Sequence, residues 1–513
     1  MYIAGELLKN VPVKVLQGSA DWKNREVSAL CQNTAKAQKG SLFVCIRGAR
    51  YDAHEHLPEV AELIGANGVI LVQEEFKPEE LPEGVTVLAA EDTRLAWSLL
   101  NKAYYGDPLR DMKIVIGVTG SKGKTTVTHM IAGILEAAGY RTGTIGTNGA
   151  IFEGSMTSLP NSTPDASLIW SHLADMAKAG AEAVVIECSS QGLMQHRVGG
   201  IVFDYGVFTN ISMGDHIGPN EHSSFENYLY CKSMLLSASR NAVVYGEEPY
   251  LPTLREMVED DEDKNWIFYG RDEDDEYYAY DEERTFENGV PGLKFMVKEA
   301  MASELSGEDK SFSVCVNLPG EFNVTNAMAA ISIARDIGIE PEAINEGLTH
   351  LAISGRFDIV FHNEKFSVCV DFAHNGYSTQ NHLEAVREYH PKRVVCIFGA
   401  DGNRSIDRRT GMGEASGRLA DLSIITSGHN RYETFEQILV DIKRGIEPTG
   451  GKYLVIKDRK EAIRWAIAHA EEGDFITILG LGHEDYQEEN GVKTPYSDRD
   501  FVLSVIRELG INN

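Results

Sequence analysis

The segment GVTGSKGKTT (117–126) carries the residue types and spacing most able to do chemistry. An apolar run, KIVIGVTG (113–120), leads into it, and an amphipathic pattern, VTHMIAGILEAAGY, leads out. Strand, glycine-rich turn and helix in that order make the setting of a phosphate loop. Gly120 and Gly123 let the main chain wrap closely around phosphates. The loop N–H groups and the helix N-terminus attract the anion. Lys124 brings a point charge to the outer phosphates, and Thr125 or Thr126 offers a hydroxyl to Mg²⁺. The strict Walker pattern would place glycine where this chain has Val118, so the loop reads GxxGKTT.

Glu187 closes the apolar run AVVIE, and a carboxylate at a strand end is the usual group facing the metal of a bound nucleotide. The polar stretch CSSQGLMQHR follows, in which Ser189, Gln195 and Arg197 can contact an anionic substrate. Asp215 and His216 come after the next run, DYGVFTNI (204–211). Lys232 falls on the helix beyond, where a lone lysine is ordinarily solvated. The carboxyl-terminal part adds FNVTNA (322–327), GRFD (355–358), VDFAHNG (370–376), FGADGNRSIDRR (398–409), SGHNRYE (427–433) and GLGHEDYQ (480–487). Singly each is turn chemistry; together they put Asn, Arg, Asp and His at successive strand ends around one crevice.

The elements that must position these groups alternate regularly. SLFVCI (41–46) and GVILVQ (68–73) flank HLPEVAELIGA in a small α/β pattern ending near Pro108. KIVIGVTG, AEAVVIECSS (181–190), DYGVFTNI and NAVVYG (241–246) make a second pattern. After GRFDIV (355–360), the runs FSVCVDFAH, RVVCIFGA, LSIITSG, KYLVIKD and FITILGLG make a third. Strand–helix alternation predicts mostly parallel sheets with helices on both faces. Ligands of such sheets sit at the carboxyl ends of the strands.

Composition bounds the function. A chain of 513 residues outgrows one core, so two to four domains are expected. Lys+Arg 48 against Asp+Glu 77 gives −29, the wrong sign for a general nucleic-acid or anionic-membrane binder. Any anion must therefore be held by a local site. Seven scattered cysteines make neither a disulfide framework nor zinc spacing. No apolar run reaches the ~18–20 residues that span a bilayer. MYIAGELLKNVPVKVL lacks the basic head and apolar core of a signal peptide, so a reducing cytoplasm is the expected compartment. The acidic stretch 258–284 is expected to be solvated surface.

In this order and spacing, over nearly the whole chain, the motifs resemble the Mur ligases of peptidoglycan synthesis. The likeness is to the branch that adds a diamino acid to UDP-N-acetylmuramoyl-L-alanyl-D-glutamate. The family's GTNGKTT-like loop is here GSKGKTT, and its NTTP is Asn161-Ser162-Thr163-Pro164. Its EVSSHxLxQHRV is ECSSQGLMQHRV, and its FTNLxxDHLD is FTNISMGDHIG. Its GxFNVxN, GR(M/F)E and DYAHTP are GEFNVTN, GRFD and DFAHNG. Its GxGGDRDxxKR and GKGHEDYQ are GADGNRSIDRR and GLGHEDYQ. The resemblance implies three α/β domains: 1–110 for the UDP substrate, 111–353 a central P-loop parallel-sheet domain for ATP, and 354–513 a Rossmann-like ligase domain. It also implies ATP-dependent amide formation through an acyl phosphate, in a monomer that binds no nucleic acid and inserts in no membrane.

Carried over residue by residue, the resemblance places ATP on Gly120, Ser121, Lys122, Gly123, Lys124, Thr125 and Thr126, and on Asn323, Asn326, Arg356 and Asp371. Mg²⁺ would lie on Thr125, Glu187, His216 and Lys232, the last as a carbamate whose oxygens suit a hard cation. Lys124, Lys232 and His216 would be catalytic. Asn161, Ser162, Thr163, Ser189, Gln195 and Arg197 would hold the UDP-muramoyl dipeptide. The family's DSR aligns with Gln32-Asn33-Thr34, so Asn33 is expected to read the uracil edge. The family's DNPR is here Gly428-His429-Asn430-Arg431. Arg404 and Arg431 align with the contacts to diaminopimelate, beside His429 and Asn430, and Gly480 and Glu484 align with the groups around its distal amine. A distal carboxylate suits a bidentate arginine, so meso-diaminopimelate is expected over L-lysine; a turn ion pair of Arg431 with Glu433 is the bland alternative. Folylpolyglutamate- or cyanophycin-type ligases are disfavoured by QHRV and GHEDYQ. A partner-dependent, non-catalytic homologue is disfavoured by the intact GKTT, Glu187, His216 and Lys232.

Overall fold

The computed structural model describes residues 2–511 except 19, 49–50, 77–83, 214–216, 218–221, 259–263, 288–289 and 352. The chain divides into two units, Met1–Tyr269 and Gly270–Asn513.

In the first unit, SLFVCI and GVILVQ become the strands Leu42–Val44 and Val69–Gln73. They lie in a sheet ordered Lys14–Gln17, Thr86–Ala90, Val69–Gln73, Leu42–Val44, Leu30–Cys31, parallel except at Lys14–Gln17. The helix Thr93–Tyr104 follows, started by the Asp92 carboxylate, which accepts from the N–H of Arg94 (2.7 Å) and Leu95 (2.9 Å). It buries Ala96, Trp97 and Leu100.

The phosphate-loop strand Ile114–Thr119 is buried along its whole length, because parallel neighbours flank it on both sides. Across that sheet the parallel order is Thr142–Gly146, Ala183–Glu187, Ile114–Thr119, Phe203–Phe208, Ser239–Tyr245, Asn265–Gly270. An antiparallel hairpin, Gly149–Phe152 and Ser155–Thr157, extends the Thr142–Gly146 edge.

The second unit opens with an antiparallel meander, Tyr277–Glu287, Val290–Glu299 and Ser311–Val316, followed by the helix Phe322–Ile337. The acidic stretch was expected to be solvated. Asp272, Glu273, Asp274, Asp281 and Glu283 are indeed exposed, while the strands Asn265–Gly270 and Tyr277–Glu287 run through the stretch and Asp275, Tyr277 and Ala279 are buried. Alternation is confined to Tyr277–Tyr280, where Tyr277 and Ala279 point inward; the acidic residues lie in the turn before it and the exposed run after it. The next sheet runs Asp358–His362, Phe366–Asp371, Asp474–Leu479, Arg393–Phe398, Leu422–Ile425, Tyr453–Val455, parallel except at Asp358–His362. Val394, Cys396 and Phe398 pack with Leu383, Met412 and Ile442, whereas Val395 and Ile397 pack with Ile463, Val502 and Val505. Helices therefore cover both faces, as the apolar runs imply. No described helix is long and apolar enough to cross a membrane.

Candidate active site

The phosphate loop starts where Ile114–Thr119 ends. Gly120 has φ +146°, and a Cβ there would come within 3.1 Å of Thr209 Cβ, so only glycine fits. The loop is braced from the next strand: Ser121 N–H donates to Asn210 O (2.8 Å) and Lys122 N–H to Asn210 Oδ1 (3.0 Å). Thr209 Oγ1 donates to Lys122 O (2.6 Å). The helix Lys124–Ala137 opens at Gly123 with no side-chain cap, so its first-turn N–H groups face the loop as an anion site. Lys124 Nζ donates to Gly120 O (2.8 Å) and Ser121 O (3.2 Å). Thr209 and Asn210, in the FTN stretch, were not singled out as functional; a buried strand running into Thr-Asn beside a phosphate loop was the signal.

Glu187 ends its strand fully buried. Its Oε2 accepts from Thr125 Oγ1 (3.1 Å) and Thr147 Oγ1 (2.9 Å), and its Oε1 from Thr147 N–H (2.8 Å). Lys232, on the helix Phe225–Ser237, is not solvated: it is 1 % exposed and donates to Gly120 O (2.7 Å). Its Nζ lies 4.7 Å from the Tyr228 ring, whose hydroxyl is 2.9 Å from Ser121 Oγ. A threonine hydroxyl touching a buried carboxylate is the hard-oxygen donor pair that suits Mg²⁺. Among the described residues no three His, Cys, Asp or Glu converge as a metal cluster. His216, the remaining member of the expected set, lies outside the described residues. His222, missed in the sequence, is buried between Ser190 Oγ (2.8 Å) and Asn227 Oδ1 (3.0 Å).

A cavity of about 160 Å³ opens in the same unit, lined by Gln32, Arg94, Trp97, Asn161, Gln195 and Arg197 among others. Thr163 is buried beneath it, donating to Glu187 O (2.8 Å) and accepting from Ser189 N–H (2.8 Å) and, at its carbonyl, from Arg197 Nη1 (2.6 Å). Ser162 is half-buried. Ser189 Oγ caps the short helix Ser190–Met194. Asn33 lies beside Gln32 in the motif expected to read uracil. It is exposed, its Oδ1 accepts from Ala35 N–H (2.9 Å), and Gln32 is the cavity-lining residue of that motif. Gln32 donates to Asp165 (2.9 Å), as does Trp97 Nε1 (3.0 Å). Burial raises the Asp165 carboxyl, but bonds from Ser167, Trp97 and Gln32 outweigh it and hold the group below the ordinary range.

In the second unit Asp371 and Gly480 lie at the carboxyl ends of parallel strands, and Asn323 and Asn326 lie on the helix Phe322–Ile337. Asp371 accepts from Phe357 N–H (2.8 Å) and Ala373 N–H (2.7 Å), tying GRFD to DFAHNG. Gly480 N–H donates to Asp371 O (3.1 Å). Arg356 stacks 5.1 Å above the Phe372 ring. Asn323 and Asn326 are buried and bonded to each other (2.9 Å). His429 Nδ1 accepts from Glu488 N–H (3.0 Å), which leaves the Nε2 proton for Glu484 (2.8 Å). Arg431 pairs with Asp401 (3.2 Å) and approaches Glu488 (3.9 Å). Glu433, its expected turn partner, is taken by Arg409 (2.6 Å). Among the described residues, Asn430 Oδ1 and Arg431 Nε are buried without a hydrogen-bond partner. Arg404 is exposed.

A phosphate loop on a parallel sheet, with a second α/β sheet carrying carboxylates and arginines near its strand ends, is the arrangement of a nucleotide-using enzyme. The family model for the Mur ligase middle domain matches residues 118–334, and that for the Mur ligase glutamate ligase domain matches 355–482. The UDP-N-acetylmuramoyl-L-alanyl-D-glutamate--2,6-diaminopimelate ligase of Caldanaerobacter subterraneus subsp. tengcongensis is 33% identical over 485 residues, 94% of this chain and 96% of the relative. The enzyme of the same name from Aquifex aeolicus is 35% identical, covering 94% of each chain. A solved structure of a ligase of that name superposes with a TM-score of 0.69 at 26% identity over 100% of both chains. The chain belongs to the Mur ligase family.

Proposed function

We propose that this chain is an ATP-dependent ligase that joins a diamino acid, meso-diaminopimelate, to UDP-N-acetylmuramoyl-L-alanyl-D-glutamate. The observation that carries the reading is the contact of Thr125 with Glu187 at the foot of a loop on whose Gly120 carbonyl Lys124 and Lys232 converge. Lys124 and the uncapped helix N-terminus hold the phosphates and offset charge on the transferring phosphoryl group. Thr125, Glu187, His216 and a carbamylated Lys232 would hold Mg²⁺, which when bound neutralises phosphate charge. The substrate carboxylate attacks the γ-phosphate to give an acyl phosphate and ADP. The amine then attacks the acyl carbon and phosphate leaves. The enzyme's larger task is positioning.

The full-length diaminopimelate ligase relatives support the substrate pair. The second unit supports the choice of amine: an amino-acid end carries both an ammonium and a carboxylate. Asn430 Oδ1 and Arg431 Nε, which make no hydrogen bond among the described residues, offer an acceptor and a donor to match, with Glu484 on the adjacent His429. L-Lysine has only the ammonium there, and so cannot give Arg431 Nε the hydrogen bond that a distal carboxylate offers. Segments 1–110, 111–353 and 354–513 serve the UDP substrate, ATP and the amine side of the reaction in a cytoplasmic monomer. The test is phosphate release with the UDP-muramoyl dipeptide and a panel of amines. Diaminopimelate should be preferred, and Arg431→Ala should erase its advantage over lysine. Wild type that prefers lysine would overturn the choice of amine.

A further inference from the structure

We propose that Arg94 is a substrate-binding residue that joins Arg197 in holding an anionic group of the UDP-muramoyl dipeptide. This rests on the function proposed above. Both guanidiniums point at one acceptor: Arg94 Nη1 donates to Gln195 Oε1 (3.3 Å) and Arg197 Nη2 to the same oxygen (2.9 Å). Two cations gathered on one neutral amide repel each other. Burial lowers the Arg197 pKa; Asp165 opposes this, and Arg94 adds to it.

Among the described residues neither arginine forms an ion pair with a carboxylate. Their other acceptors are main-chain carbonyls, Arg47 O for Arg94 (2.6 Å) and Thr163 O for Arg197 (2.6 Å). The carboxylate in the same cavity, Asp165, is already engaged by Gln32, Trp97 and Ser167. Two cations and one occupied carboxylate leave a locally positive pocket in a chain of net charge −29. Each guanidinium has five N–H donors, so donors remain for a bidentate oxyanion.

The position of Arg94 is fixed in advance. Arg94, Ser98 and Lys102 share one face of the helix Thr93–Tyr104 at a spacing of four. All three address the QHRVGG turn. Arg94 reaches Gln195, Ser98 Oγ donates to Gly199 O (2.8 Å), and Lys102 Nζ to Gly200 O (2.9 Å). His196 in that turn has φ +51° and lies 3.5 Å from the helix-capping Asp92. The outer contacts dock the helix, and Arg94 then projects into the cavity with little freedom left to lose.

The anion is the diphosphate or a carboxylate of the dipeptide, and calorimetric titration separates them. UDP-muramoyl dipeptide should bind wild type and lose ~10- to 100-fold in affinity on Arg94→Met, the range of a charge-assisted hydrogen bond. Arg94→Lys should keep part of the affinity. If UDP alone loses affinity in parallel, the arginines hold the diphosphate; if UDP is unaffected, they hold a carboxylate. Lys102→Met removes a docking contact without touching the cavity, and should lower Tm but not affinity. Unchanged affinity in Arg94→Met overturns the proposal while leaving the ligase reading intact. Equal loss in Lys102→Met also overturns it, because the effect would then be helix docking. Wild type that binds no UDP-muramoyl dipeptide would overturn both readings.

Discussion

Lys232 shows how much a side chain's surroundings decide. A helical lysine is ordinarily solvated, yet this one is buried against Gly120 O and the Tyr228 ring. If it carries a carbamate, Lys232→Ala should be nearly inactive and should regain part of its rate with a short carboxylic acid in the buffer. Absence of rescue would remove the carbamate from the mechanism. His483 makes a prediction of a different kind. Burial, and next the Arg356 guanidinium, push its imidazole down to about 4. The unfolded chain would take up this proton near pH 6.5 and the folded chain only near 4. Stability is therefore fully present above pH 6.5 and is lost as pH falls toward 4, by up to ~3 kcal/mol. Denaturant titrations of His483→Gln should show a flatter profile across that window; an unchanged slope would assign the acid sensitivity elsewhere.

At the scale of elements, strand ends do the positioning. Gly146 ends the strand beside Ala183–Glu187, and a Cβ there would lie 2.7 Å from Glu187 Cδ. Gly146→Ala should displace the carboxylate from Thr125 and Thr147 and cut kcat by ~10- to 100-fold, since misplacement by about 1 Å is enough for such a loss. The fold should survive, because the clash falls on a side-chain end. A variant with normal turnover would mean that Glu187 need not sit where Thr125 reaches it. In the second unit, Arg459 and Asp498 form a buried bidentate pair (2.7 and 2.6 Å) that ties the helix Arg459–Ala468 to Asp498–Glu508.

For the whole molecule, one buried apolar cluster around Trp170 belongs to the first unit and another around Ile397 to the second, and calorimetry should resolve two unfolding transitions. UDP-muramoyl dipeptide, if held by first-unit residues as proposed, should raise one transition by mass action. Asp498→Ala, which strands Arg459, should lower the other by ~3–5 kcal/mol. A single transition moved by both would show that the units unfold together.

The amino-acid sequence by itself determined the strand–helix alternation, the phosphate loop and the clustering of polar motifs at strand ends. These are local: a buried parallel strand must be an apolar run, and a phosphate loop must be glycine-rich. It also marked Glu187, Gln195 and Arg197 as chemical residues. Tertiary structure alone decided the rest, because distant segments set each partner. Arg94 met Gln195 from 101 positions away, and Asp165 drew in Gln32 from 133. Asn33, the expected reader of uracil, accepts at its Oδ1 from the N–H of Ala35, because a carboxamide competes for the nearest main-chain N–H. Arg431 found Asp401 rather than the neighbouring Glu433, since Arg409, buried on its helix, had already claimed that carboxylate. No periodicity records such choices, which depend on which charged group a fold buries and which acceptor remains within reach.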